Sequence, residues 1–372
     1  MPGYLIQGEI ELSQGIHYEV NTQVPPLGAG GMGQVFMGER VDEKTGQRKK
    51  VAVKFLYQDL PSSAVQRSRR EASIQVQNEN LIEMMGFICM DDRDHMGNAI
   101  TRCFVVSELL EGVMLFDLLQ GKTTDAKGEP VAYAEELYRM SQEDRIGFAK
   151  LIVMKILSGL VALHDKGYIH RDIDPSNIMI TKDRKIKLID FGIAKNLIDG
   201  HSASHSQNLT RAGSFIGKPS YAAPELITGD IAAHDVTTDL YQVGILLYEL
   251  CTGSRPFTGA EHEIMAKQLS TPVPVENVPD PAIAGAIAKA TQKTQSERYR
   301  SASQFRVDLE NSYEQTQVIN ETPVIQTKAK QTEEATKTVP DSPSSSMEWT
   351  IWGGISALAL AAGVLLGLFV KL

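Results

Sequence analysis

Cysteine is scarce: the chain has three, Cys89, Cys103 and Cys251, in 372 residues. Their odd count and lack of paired spacing exclude a zinc cluster or a disulfide framework, and predict three buried thiols in a reducing compartment. Basic excess is also missing, with 37 Lys and Arg against 46 Asp and Glu, a net charge of −9. A general nucleic-acid binder needs clustered cations for phosphate, so no nucleic-acid partner is expected. No basic stretch followed by an apolar one opens the chain, so nothing there reads as a secretory signal. No repeat of fixed period is found. What remains is an ordinary globular balance, 42% hydrophobic and 22% charged, with enough length to bury a core.

The long apolar run is at the far end, where Ile351 to Val370 is interrupted only by Ser356. It has the length needed to cross a hydrocarbon layer, with Trp349 and Trp352 at the position of an interfacial anchor. The reading is a transmembrane helix over 349–370, inserted from the tail, with the bulk of the chain cytoplasmic. Ala359, Gly363 and Gly367 share one helix face and would suit a homodimer. Residues 314–348 are rich in Thr, Gln, Glu, Ser, Pro and Lys and read as a flexible juxtamembrane linker.

Residues 17–313 form one continuous block after an N-terminal extension, 1–16. Strand-like runs, Gln34 to Gly38, Lys50 to Leu56 and Arg102 to Leu109, come first, with a helix expected over Ser63 to Gln77. Longer helical patterns follow, including Arg145 to Lys166 and Thr238 to Cys251. Gly121 to Met140 and Asn196 to Pro219 read as long surface loops. The block is therefore expected to be α+β, a small β-rich lobe before a larger helical one.

Leu27-Gly-Ala-Gly-Gly-Met-Gly-Gln-Val35 places Gly28, Gly30, Gly33 and Val35 at G-x-G-x-x-G-x-V spacing between two strands. Glycines let backbone amides approach phosphate oxygens that a Cβ would push away. A dinucleotide crossover would need a helix next, and the following segment is a strand. Lys54, in Val51-Ala-Val-Lys54, puts an ammonium inside an apolar strand, which calls for anions, and Glu71 and nucleotide phosphates are the candidates. Asn177 and Asp190 are oxygen ligands of the kind Mg²⁺ prefers, which leaves Asp172 to accept a hydroxyl proton.

In this order the glycine loop, Val-Ala-Val-Lys54, His170-Arg-Asp172, Asp190-Phe-Gly192 and Ala223-Pro-Glu225 resemble the signature set of the eukaryotic-like (Hanks-type) protein kinase family. The likeness runs from about Tyr18 to Leu309 and is nearest to bacterial membrane-anchored Ser/Thr kinases. It implies a bilobal kinase fold and ATP with Mg²⁺ or Mn²⁺, in a protein of the bacterial inner membrane that acts on protein substrates. It further implies that Leu27, Gly28, Ala29, Gly30, Gly31, Met32, Gly33, Val35, Ala52 and Lys54 contact the nucleotide, with Glu108 and Leu110 as hinge. Glu71 would hold Lys54, Asp172 would act as base, Asn177 and Asp190 would bind metal, and Arg298 would pair with Glu225. Ser107, at the gatekeeper position, implies an adenine pocket open at the rear.

Two residues depart from the family pattern. Ser/Thr kinases usually carry Lys two residues after the catalytic aspartate, where this chain has Asp174; after Gly217 they usually carry Thr, where it has Lys218. The oddities are opposite in charge and expected to be neighbours, so Lys218 is expected to restore the missing cation. The alternative is a pseudokinase that binds nucleotide and signals as a scaffold. Arg171 implies control by activation-segment phosphorylation, with Thr210 and Ser214 as the preferred autophosphorylation sites among several hydroxyls.

Overall fold

The computed structural model describes residues 3–93, 96–190, 195–196 and 218–321. The expected linker beyond 321, the span over 349–370 and most of the loop from Asn196 to Pro219 lie outside the described residues.

The first lobe is an antiparallel sheet built of β1 (Tyr4–Ile6), β2 (Ile16–Val20), β3 (Gly28–Gly30), β4 (Gly33–Asp42), β5 (Arg48–Leu56), β6 (Met84–Arg93) and β7 (Ala99–Glu108). Its order is β1-β2-β4-β5-β7-β6, with β3 folded back on β4. Alternation decides the faces. Val51 and Val53 of β5 join Ile6, Tyr18, Val20, Phe36, Ile88, Phe104 and Val106 in one core, while Ala52 and Lys54 point to the opposite face. Phe55 bridges that core, 4.8 Å from Phe104 and 5.5 Å from Tyr4 between ring centroids.

Three sequence expectations are corrected in this lobe. Residues 1–16, read as an N-terminal extension, add a strand to this lobe's sheet: β1 pairs with β2 and Ile6 is fully buried, and between the two strands lies α1 (Glu9–Gln14). A three-residue strand is too short to show a periodicity. The helix expected over Ser63 to Gln77 is α2 (Ser62–Ala72) and ends early. From Ser73 to Gln77 burial alternates strictly, with Ile74 and Val76 inside, which is the period of an extended segment. The third correction concerns thiols: Cys89 and Cys103 are cross-strand partners in the β6–β7 ladder and form a disulfide. The spacing of 14 residues reflects hairpin register, which composition does not reveal. Cys251 is a buried free thiol whose pKa burial pushes up to about 12.

The second lobe starts with β8 (Gly112–Met114) and α3 (Leu115–Leu119). α4 (Ala132–Glu143) occupies much of the stretch expected as a loop from Gly121 to Met140. Tyr133, Ala134, Leu137 and Ser141 are its buried face, a helical spacing that the polar residues around it obscure. α5 (Arg145–Asp165) is capped by Asp144, which accepts from Gly147 N at 2.8 Å. By length and apolarity α5 could cross a membrane, but it packs against α4 and against two later helices, α7 (Val236–Thr252) and α10 (Ala302–Glu321). It is a core helix.

After α5 come three short strands, β9 (Tyr168–Ile169), β10 (Ile178–Thr181) and β11 (Ile186–Leu188), followed by a two-residue fourth. β10 lies between β11 and β8, and β9 pairs with β12 (Lys195–Asn196). The chain then continues through α6 (Pro224–Thr228), α7, α8 (Glu261–Ser270) and α9 (Pro281–Ala290) to α10. α7 is the buried centre, with fourteen of its residues inside, started by a capping box at Asp235 and Thr238 and ended by Gly253 at φ 79°. α10 runs beyond the expected domain end at 313.

Candidate active site

Register across the first lobe gathers the proposed nucleotide contacts. Val35 lies opposite Lys54 and Gly28 opposite Val35, while Ala52 lies between Met37 and Ser107. Leu27 N donates to Val35 O at 2.7 Å and closes the hairpin behind Ala29, with Gly31 and Met32 at its turn. A Cβ built on Gly28, Gly30 or Gly31 would enter open space, so these glycines answer no packing need inside the chain. Gly33 differs. A Cβ there would stand 2.1 Å from Phe55 O, so its glycine is demanded by the β4–β5 packing.

Glu71 is buried in the last turn of α2. No ion pair joins it to Lys54 among the described residues.

Glu108 is held at its carboxylate and at its amide. Its carboxylate accepts from Lys187 Nζ at 2.5 Å and from Glu83 N at 2.8 Å, and its own amide donates to Glu83 O at 2.9 Å. Lys187, on β11, also donates to Leu81 O at 2.9 Å and is almost fully buried. Sequence reasoning missed Lys187. Its only signal was a lysine within an apolar strand run, the same signal that singled out Lys54. Leu110 follows in the half-buried crossover to the second lobe.

The loop from His170 to Asn177 hangs from α7. Asp239, wholly buried, accepts from His170 N at 2.8 Å and Arg171 N at 2.7 Å, with His164 Nε2 2.8 Å away. Burial opposes its charge, but His164 and the backbone donors prevail and hold its carboxyl below the usual carboxylate range. One helical turn on, Gln242 donates to Arg171 O at 3.1 Å and accepts from Ile173 N at 3.4 Å. Gln242 was also missed; its i, i+3 spacing from Asp239 puts both on one helix face. This support keeps Arg171 at φ 69°, a backbone region that non-glycine residues rarely enter. Burial pulls the Arg171 pKa down to about 10.

Asn177 Nδ2 donates to both Asp172 O, at 2.8 Å, and Asp172 Oδ2, at 2.9 Å. Asn177 O accepts from Ile189 N at 2.8 Å, which ties this loop to the residue before Asp190. Asp190 is exposed and left-handed, at φ 62°. The Asp172 carboxyl is pushed up by burial first and by Asp174 second, against the smaller opposing effects of His170, Asn177 and Lys218. Asn177 and Asp190 are hard oxygen donors suited to Mg²⁺, and no cluster of three acidic, His or Cys ligands occurs among the described residues. Two donors fit an ion that shares its coordination with phosphate oxygens.

The two departures from the family pattern meet. Lys218 Nζ lies 2.6 Å from Asp174 Oδ1 and also donates to Ser176 Oγ. Asp174 is buried and anchored by Ser176 N at 2.7 Å, whereas the Lys218 side chain is half exposed. Below them, Arg298 pairs with Glu225 through two contacts of 2.8 and 3.0 Å, with Thr238 Oγ1 donating at 2.8 Å to the same carboxylate.

The sequence profile described as "Protein kinase domain" matches residues 21–329. The chain belongs to the protein kinase domain family. Among similar proteins, serine/threonine-protein kinase pkn2 of Myxococcus xanthus is 33% identical over 241 residues, covering 63% of this chain and 24% of that protein. A probable serine/threonine-protein kinase PknB of Bifidobacterium longum is 32% identical over 293 residues, covering 76% and 38%. Serine/threonine-protein kinase Pkn1 of Myxococcus xanthus is 33% identical over 296 residues, covering 76% and 37%. The kinase chain thus spans between about a quarter and two-fifths of these relatives' length.

Proposed function

We propose that this kinase-family chain transfers the γ-phosphoryl group of ATP to Ser or Thr hydroxyls of proteins, including its own activation segment. The observation that carries the reading is the Asp172–Asn177 pair, joined through Ile189 to Asp190: a base, and two oxygen donors for metal, on one hydrogen-bonded unit. Asn177 and Asp190 would hold Mg²⁺, which would supply neutralisation of the phosphate charge. The chain's own residues do the rest. Gly28, Gly30 and Gly31 leave room for phosphates beside backbone amides, Ala52 lines the adenine site, Lys54 faces the phosphates, and Glu108 with Leu110 forms the hinge. Asp172 accepts the proton of the substrate hydroxyl, and its burial beside Asp174 makes it a stronger base than an ordinary aspartate.

Lys218 stands in for the cation the catalytic loop lacks, with Asp174 and Ser176 aiming it. Loss of one such donor typically costs about 10²–10³ in rate. Lys218→Ala is therefore expected to lower kcat by about that factor with little change in ATP affinity; near-normal turnover would remove Lys218 from the mechanism. The Asp174→Lys, Lys218→Thr double variant, which restores the usual family pattern, is expected to recover most of the lost rate.

The short side chain of Ser107, half-buried beside Ala52, supports an adenine site open at the rear. Wild-type protein is expected to use N6-benzyl-ATP, and a requirement for Ser107→Gly before it does so would contradict this.

The second reading, a nucleotide-binding scaffold without phosphotransfer, draws on the anion at Asp174. Phosphosite mapping after Mg-ATP treatment, with Asp190→Asn as control, separates the two. Modified Ser or Thr in the wild type alone, with Thr210 and Ser214 expected among them, supports the enzyme. The composition of 314–348 and of Ile351 to Val370 supports a tether and a membrane span that hold the catalytic block on the cytoplasmic side, with the small-residue face serving a homodimer.

A further inference from the structure

Cys89 and Cys103 occupy a telling place on the sheet. Lys54 pairs with Val105, and Cys103 stands two residues from Val105 on the same strand. Phe87 also pairs with Val105, and Cys89 stands two residues from Phe87. Since residues two apart share a face, the disulfide lies on the face that carries Lys54. α2 packs on that face, for the Arg69 guanidinium sits 5.2 Å over the Phe87 ring, and Glu71 follows two residues after Arg69. Both cysteines are half-buried, within reach of small solutes, while Cys251 is closed off in the second lobe.

We propose that Cys89 and Cys103 are a reversible thiol–disulfide site, oxidised by a hydroperoxide and reopened by a dithiol, whose closure stiffens the strand pair supporting α2. In the oxidising step one thiolate attacks a peroxide oxygen; the O–O bond breaks, hydroxide leaves and is protonated, and a sulfenic acid forms. The second thiol attacks that sulfur, the S–S bond forms, and the oxygen departs as a second water. The two sulfurs together lose two electrons and the peroxide gains two. In the reverse step a dithiol exchanges with the bond, takes the two electrons' worth of oxidation as its own disulfide, and leaves two protein thiols. The bond covalently joins neighbouring strands where α2 rests, so its state reaches the helix that bears Glu71.

The test uses the full chain. Protein reduced with dithiothreitol, desalted and divided is treated with hydrogen peroxide or buffer, alkylated with iodoacetamide and mapped by peptide mass spectrometry. Expected is alkylation of Cys89 and Cys103 after reduction, a linked peptide pair two hydrogens lighter after peroxide, and its reopening by dithiothreitol, with Cys251 unchanged throughout. A bond that dithiothreitol cannot open in the folded protein, or separate conversion of the two cysteines to sulfinic acids, would overturn the site. Amide hydrogen exchange over 62–72 then reads the coupling, several-fold slower in the oxidised wild type than in the reduced. Equal exchange in the two forms would overturn the link to α2. A Cys89→Ser, Cys103→Ser variant is expected to show no response of that segment to peroxide.

Discussion

Asp172, Asp174 and Lys218 form a charge sequence of minus, minus, plus within one small region, and each sign has a consequence for the others. Asp172 holds its proton to higher pH than a free aspartate near 3.9, because it is buried and faces Asp174. The acid limb of kcat/KM is therefore expected above the ordinary carboxylate range. Lys218 opposes that shift, so in Lys218→Ala the limb should move to still higher pH; a pH–rate profile of the residual activity checks the direction. Stability follows the same linkage. A carboxyl whose folded pKa is raised imposes no penalty below its unfolded pKa, and the full penalty once the pH exceeds the folded one. Asp172→Asn keeps an acceptor for Asn177 and loses the buried charge, so its Tm should exceed that of the wild type at pH 7, with the difference vanishing in acid. A variant less stable than wild type at pH 7 would mean that the charge is better compensated than the burial implies.

Among the elements, β1 shows how a short segment can matter more than its length. Three residues pair with β2 and send Ile6 into the first lobe's core, with no exposed surface. Ile6→Ala is expected to cost about 2–5 kcal/mol, the usual range for a large-to-small core change, measured by denaturant unfolding. An effect near zero would show that the strand is only laid against the sheet. The segment was illegible in sequence because three residues carry no period, and α4 because its buried face is spread among charged neighbours. β4, β5 and β7 were legible from alternation, and α5 and α7 from long apolar stretches. In the site, Asp172 with Asn177 showed itself by spacing, whereas the opposite charges at 174 and 218 showed themselves only as departures from the kinase family's pattern. Gln242 did not, because it acts only through the backbone of another segment, and such a partner leaves no mark on residue type; nor did Lys187, whose partners Glu108 and Leu81 O lie 79 and 106 positions away in the chain.

At the scale of the molecule, two buried polar joints organise the kinase domain. Lys187 of the second lobe reaches Glu108 and Leu81 O, so the crossover between lobes is pinned by charge as well as by chain. Arg298 and Glu225 pair at the base of α7, both buried, with the carboxylate also satisfied by Thr238. Removing one member of such a pair leaves an uncompensated charge and costs about 3–5 kcal/mol. Arg298→Met should accordingly lower Tm sharply, and unfolding curves that match the wild type would show the pair to be dispensable. The most direct measurement is transfer of labelled γ-phosphate from Mg-ATP to a serine- and threonine-containing protein substrate, with wild type beside Asp172→Asn. The expected result is label on Ser or Thr with the wild type and nearly none with the variant, both binding ATP alike. Wild-type protein that binds Mg-ATP yet transfers no label to itself or to any substrate would contradict the account.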